Sequence, residues 1–196
     1  MNINELDTGD ILLCSGKDYI SRIIEYFTGS KISHVAMVLK NPIYINNSLN
    51  GYYVLQTTIS SNKDLVDNVN KRGVQIISLN ELMKSYSTIY VRKLYITRNN
   101  NFYDLLKDIY FSIKNKPYDT NLIDWLKADL NIHCGNEKKT NTFWCSSLLC
   151  YIYIKLGYLY KYTDWTIVKP CQFSSNDKKK LIFINCMINN DELLNI

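Results

Sequence analysis

Cys145 is the residue of this sequence best placed to do chemistry, because it opens a strongly apolar segment in Thr142-Phe143-Trp144-Cys145-Ser146-Ser147-Leu148-Leu149. At about 100° per residue, Leu148, Leu149, Ile152 and Leu156 fall in its stripe. Phe143, Cys150 and Ile154 take the opposite face, so the helix is apolar nearly all round and belongs in the centre of a fold. Asn141 and Thr142 are good N-cap residues, which predicts Cys145 in the first turn. There, backbone N–H groups and the positive end of the helix dipole favour a thiolate and supply donors to an oxyanion. A buried cysteine also serves as a small hydrophobe, and the segment alone does not separate the two readings.

A thiol nucleophile needs a base, and the chain has two histidines, His34 and His133. His34 begins Ser33-His34-Val35-Ala36-Met37-Val38-Leu39, a strand on which it shares a face with Ala36 and Val38. Tyr52–Thr58 follows the turn residues Asn50-Gly51 and is predicted to pair with that strand, with Gln56 on the face of Tyr52 and Val54. In that arrangement His34 takes the thiol proton and Gln56 holds its ring and tautomer. A histidine at a strand start is also a common structural group. His133 lies in the polar interval 131–141, directly before the Cys145 helix, and is the alternative base if that interval folds back.

The elements that must position these groups read as an α+β chain. Ile11–Leu13 is a short buried strand after the turn Gly9-Asp10, and a helix capped by Ser15 runs through Ile20, Ile23, Ile24 and Phe27 to Gly29. Residues 60–72 are polar and read as a surface loop, with or without a short helical turn. Val74–Ile77 and Thr88–Arg92 read as strands flanking a short helix at Leu79–Met83. Phe102, Leu105, Leu106, Ile109 and Ile113 mark a helix that Lys116-Pro117 stops, and a second helical segment runs from Tyr118 to Leu130. Leu181–Ile184 reads as a final strand. The expectation is a central, mostly antiparallel sheet of about five to six strands packed against helices.

Composition narrows the function. The 196-residue chain has a net charge of +5 and spreads its lysines, with one run at Lys178-Lys179-Lys180, which suits a solvated face better than a nucleic-acid groove. The chain is predicted to form one domain, 1–196. Its six cysteines form no C-x-x-C pair, and His133-Cys134, adjacent in sequence, is a poor chelate. No metal, no other cofactor and no disulfide framework is expected. The amino terminus lacks the basic and apolar regions of a signal peptide, and Leu148–Ile154 is too short to span a bilayer, so an intracellular setting is expected.

Five ordered stretches carry a resemblance. Gly9-Asp10-Ile11-Leu12, Ile32-Ser33-His34-Val35-Ala36-Met37-Val38, Tyr53-Val54-Leu55-Gln56, Lys116-Pro117-Tyr118-Asp119 and Phe143-Trp144-Cys145-Ser146-Ser147-Leu148-Leu149, with Pro170 beyond them, follow the order of one family. The sequence resembles the circularly permuted NlpC/P60-like, papain-like thiol hydrolases of the YiiX/YebB type and their poxvirus relatives. The resemblance implies a permuted papain-like fold with Cys145 as nucleophile, His34 as base and Gln56 in the third position. Gln56 and Ser147 stand where glutamates are common in the family.

The expected activity is a cysteine hydrolase or acyltransferase working through a thioester, on an amide in a peptide or peptidoglycan-like substrate or on a lipid ester. Ser146, Tyr118 and Trp144 are candidates for the oxyanion and substrate pocket, and Trp125 is a further aromatic suited to an apolar substrate. The alternative is a weak or inactive binding module on the same fold: a viral particle component, in the virion or host cytoplasm, or an adaptor in peripheral contact with a membrane. Nucleic acid is not an expected partner, and nothing in the residues sets an oligomeric state.

Overall fold

Alternate residues of the His34 strand face two different apolar cores, and that alternation divides the molecule into layers. The computed structural model of the chain describes residues 1–16, 29–119 and 141–195. Six strands form the main sheet: β1 (Ile11–Gly16), β2 (His34–Lys40), β3 (Tyr52–Lys63), β4 (Asn70–Ser78), β5 (Tyr86–Arg92) and, late in the chain, β8 (Glu192–Leu193). Their order is β4-β3-β2-β1-β5-β8, and each neighbouring pair is antiparallel. β6 (Leu94–Tyr95) and β7 (Met187–Ile188) make a separate two-stranded ribbon. The described α-helices are α1 (Leu79–Ser85), α2 (Asn100–Ile113) and α3 (Cys145–Lys155).

One face of the sheet presents Ile11, Leu13, Val35, Met37, Leu55, Val74 and Ile76 to Phe102, Leu106, Ile109 and Ile113 of α2 and to Leu148, Leu149 and Ile152 of α3. The other presents Leu12, Cys14, Ala36, Val38, Val54 and Ile77 to Leu79 and Leu82 of α1, with Leu6 and Leu194. Each such fully buried aliphatic side chain contributes about 1.5–3 kcal/mol of transfer free energy. α3 buries eight of its eleven residues, as its all-round apolar sequence predicts. The α+β class, the antiparallel sheet and the pairing of the His34 and Gln56 strands agree with the sequence reading.

Several local expectations are corrected. Residues 60–72 are a loop only over 64–69, where Asn68 N–H bonds Asp64 O at 2.8 Å in a single helical turn; β3 continues to Lys63 and β4 begins at Asn70. The buried Asp64 carboxylate makes the turn between them, accepting the N–H groups of Val66, Asp67 and Ile76. This part of the ribbon is largely exposed and polar, so it lacks the alternation that marks a strand. Leu181–Ile184 is not a strand; it makes a single bridge, Phe183 to Leu159, before Asn185 turns the chain with φ of +56°. The β2–β3 connection is a loop closed by Asn41 N–H to Gly51 O at 2.8 Å, rather than a tight turn at Asn50-Gly51. The short helix extends to Ser85 and is capped by Ser78. Tyr118 and Asp119 do not begin a helix but pair in extended fashion with Phe143. The expected helix through Ile20 to Phe27, the segment to Leu130, Trp125, His133 and Cys134 lie outside the described residues.

Candidate active site

The site forms where two paired strands part. β2 and β3 are in register from Lys40–Tyr52 to Met37–Leu55. On the other side of β2, the ladder with β1 continues to Cys14–His34. Val38 N–H bonds Asp10 O on the β1 side, so odd residues of β2, Val35 among them, aim their backbone groups toward β3. At Val35 the partner is no longer β3: its N–H faces the Cys145 sulfur. Across the fork, Thr57 Oγ1 donates to Phe143 O at 3.3 Å. The start of α3 therefore wedges between the strands, and the peptide joining His34 to Val35 lies against the thiol.

The helix start is built differently from the Asn141/Thr142 cap the sequence suggested. Trp144 is the N-cap in an extended conformation, which makes Cys145 the first helical residue. Ser147, three residues on, accepts the Trp144 N–H on its Oγ at 3.0 Å and takes over the backward reach that a Glu or Gln makes in a capping box. Thr142 instead donates to Asp119 Oδ2 at 2.9 Å. Phe143 N–H bonds Pro117 O at 3.2 Å and Asp119 N–H bonds Phe143 O at 3.0 Å, so residues 117–119 run beside the approach to Cys145.

That strip is held against the sheet through Gly73, which adopts φ of +102°. A Cβ on Gly73 would come within 2.3 Å of Lys116 O and 2.8 Å of Pro117 Cα, and the next N–H, of Val74, bonds Lys116 O at 2.9 Å. Only a glycine permits this approach.

His34 and Gln56 sit on one sheet face as predicted, and they meet. Extending the β2–β3 register places Gln56 opposite Ala36, hence diagonal to His34, a separation that a long side chain spans. His34 Nε2 lies 2.8 Å from Gln56 Oε1. A carbonyl oxygen only accepts, so Nε2 carries a proton, and in the neutral form of the ring the lone pair is the one on Nδ1. Tyr86 lies nearly parallel to the ring, with centroids 5.3 Å apart at an interplanar angle of 10°. His34 and Gln56 are buried, at 7% and 2% exposure, and Cys145 at 3%.

The electrostatics depart from the expected thiolate. Burial pushes the Cys145 thiol up to about 11, although the N–H groups of Val35, Ser146 and Cys145 itself pull the other way. Desolvation outweighs the helix start, so the resting residue is a thiol. Burial also raises the Tyr118 phenol, with Cys145 and then Asp119 adding to the shift, which marks Tyr118 as a protonated neighbour of the sulfur. Cys14 is raised by burial first and by Cys145 second.

The pocket candidates separate. Tyr118 is half-buried beside Cys145, Trp144 is buried as the cap residue, and Ser146 turns its hydroxyl away to Val168 O at 2.6 Å, leaving only its backbone N–H toward the sulfur. Gly9-Asp10 serves the frame: Gly9 O accepts the Tyr153 hydroxyl of α3 at 2.7 Å, and Asp10 accepts Leu94 N–H at 2.9 Å. The sequence reading missed Val35 N–H, Thr57, Tyr86 and Gly73. Gly73 alone carried a signal, a glycine inside a polar run before an apolar strand.

Residues 5–185 match the model of a family described as permuted papain-like amidase enzymes, YaeF/YiiX, C92. The chain belongs to the C92 family. A solved structure from Escherichia coli O157:H7, described as the metalloprotein yiiX, aligns with a TM-score of 0.54 at 14% identity, covering 95% of the C92 chain and 97% of its own. This likeness carries the permuted papain-like fold. Among the described residues, no group of three or more His, Cys, Asp or Glu side chains is placed to hold a metal ion. No curated protein matches the chain. No helix among the described residues is long and apolar enough to cross a membrane.

Proposed function

We propose that this C92 protein is a cysteine hydrolase in which Cys145 attacks an acyl carbon and His34 is its base. The thiol proton passes to Nδ1 of His34 as the sulfur–carbon bond forms. The N–H of Cys145 stabilises the oxyanion of the tetrahedral adduct. Collapse expels an amine or alcohol, which takes the proton from the imidazolium and leaves a thioester. Water then attacks with the same base, releasing the acid and the thiol. The substrate class is an amide in a peptide or peptidoglycan-like chain, or a lipid ester; a second acceptor in place of water makes the enzyme an acyltransferase.

The observation that carries this reading is the orientation of His34: Nε2 is committed to Gln56 and the adjoining peptide N–H faces the Cys145 sulfur. A second reading, a weak or inactive binding module, draws on the raised thiol and on the neutral Gln56, which offers an imidazolium no charge. One experiment separates them. The protein is incubated with N-acyl amide and lipid ester substrates, quenched in acid and mapped by mass spectrometry. Acyl-Cys145, absent from Cys145→Ala and reduced on the order of a hundred-fold or more in His34→Ala, supports the hydrolase. Acyl groups absent throughout, or spread over the other cysteines, sink it.

A further inference from the structure

We infer that the surface around Tyr160, Tyr162 and Ile182 is a docking site for an anionic lipid bilayer. The residues come together through the fold. Leu159 bridges Phe183, and Ile184 N–H bonds Tyr158 O at 3.0 Å, so the two segments run antiparallel with Tyr160 directly opposite Ile182. Opposed residues share a face, and this face is the outer one: Tyr160 is 56% exposed, Tyr162 67% and Ile182 77%, whereas Leu159 behind them is 2% exposed. Tyr160 and Tyr162 pack edge to face with centroids 5.1 Å apart.

The patch is bordered by lysines. Lys161 stands over the Tyr162 ring at 4.8 Å, and Lys178, Lys179 and Lys180 are all exposed. Their loop is held in place by Gln172, which accepts Leu181 N–H on its backbone carbonyl at 2.8 Å and donates its side-chain amide to Lys179 O at 2.9 Å. The nearby carboxylates are engaged locally, Asp164 by Thr166 and Asp177 by the Lys179 N–H. Behind the lysines, a cavity of about 650 Å³ runs between Lys178 and Lys179 and the backbone around Val168, whose carbonyl accepts from Ser146.

Tyrosines, an aliphatic tip and a border of lysines match the layers of an anionic membrane surface: hydrocarbon boundary, headgroup and negative potential. The same residue types also bind single-stranded nucleic acid, but that mode needs open aromatic faces for the bases. Here Lys161 occupies a face of Tyr162, Tyr160 meets it edge to face, and the most exposed large apolar side chain among the described residues is the aliphatic Ile182.

Co-sedimentation of the full chain with vesicles tests the proposal. The protein should bind vesicles in which phosphatidylserine makes up about a third of the lipid, ignore pure phosphatidylcholine, and lose binding as salt rises. Replacing Lys178, Lys179 and Lys180 with glutamine should weaken partition about five-fold for each lysine, on the order of a hundred-fold in all. Ile182→Ser, a change at an exposed site, should weaken it several-fold and does not depend on the triple variant folding. Cys145→Ala should bind as the wild type does, which keeps docking distinct from catalysis. Equal partition into neutral vesicles, unchanged binding by both patch variants, or displacement by a single-stranded oligonucleotide that binds more tightly would each overturn it.

Discussion

Gln56 accepts the Nε2 proton of His34 across 2.8 Å from a position diagonal to it on the next strand. The diagonal explains the side chain: asparagine, one methylene shorter, falls short. Gln56→Asn and Gln56→Ala should each lower acyl transfer on the order of a hundred-fold, because the ring loses its tautomer and angle. Gln56→Glu places a negative charge beside the ring and favours the imidazolium, so the acidic limb of the pH–rate profile should move upward by about one unit. Steady-state rates across pH check both.

The Cys145 thiol, raised by burial to about 11, is protonated at neutral pH. In His34→Ala, alkylation of Cys145 by iodoacetamide should therefore climb about ten-fold per pH unit until the thiol titrates near that value. The wild type should show a flatter profile with faster labelling at neutral pH. Peptide mapping of the alkylated cysteines distinguishes the two curves.

Ser147 is the backward half of a helix cap, bonded to the Trp144 N–H at 3.0 Å in a buried setting. Ser147→Ala should destabilise the fold by about 1 kcal/mol, read as a lower urea midpoint at unchanged slope.

At Gly73 the added methyl of Ala would meet Lys116 O at 2.3 Å on a backbone with φ of +102°. Gly73→Ala should cost about 3 kcal/mol or more, since neither partner in the clash is a flexible side-chain end. Because the same strip leads to Tyr118, acylation of Cys145 should fall in the molecules that remain folded.

Asp67 ties the β3–β4 turn to the end of α2 through Lys71 Nζ at 2.8 Å and Lys114 Nζ at 2.5 Å. Burial pushes its carboxyl up, but the two ammonium groups outweigh that and hold it below its ordinary value. The folded-state pKa is depressed, so the stabilisation is present above the unfolded value of about 3.9 and is lost as pH falls through the folded one. Asp67→Asn should cost about 1 kcal/mol at neutral pH, discounted for partial exposure, and the gap to wild type should close in acid. Urea titrations at several pH values measure it.

Part of this protein was readable along the chain because the signals are local. Alternation placed His34 with Ala36 and Gln56 with Val54 on one face, and the all-round apolar stripe placed α3 at the centre. Residues 60–72 misled because the turn is written in the carboxylate of Asp64 rather than in hydrophobic pattern. The N-cap moved to Trp144 because Thr142 found Asp119, a partner fixed by the path of 117–119.

The pattern of residue types thus decided the layers, the strand faces and the order in which cysteine and histidine arise. Tertiary packing alone decided the parting of β2 from β3, the turn of Val35 N–H toward the sulfur and the protonation of that sulfur. Periodicity follows from the geometry of each backbone element, whereas desolvation and hydrogen-bond exchange depend on which distant segment arrives beside a group once the chain has closed.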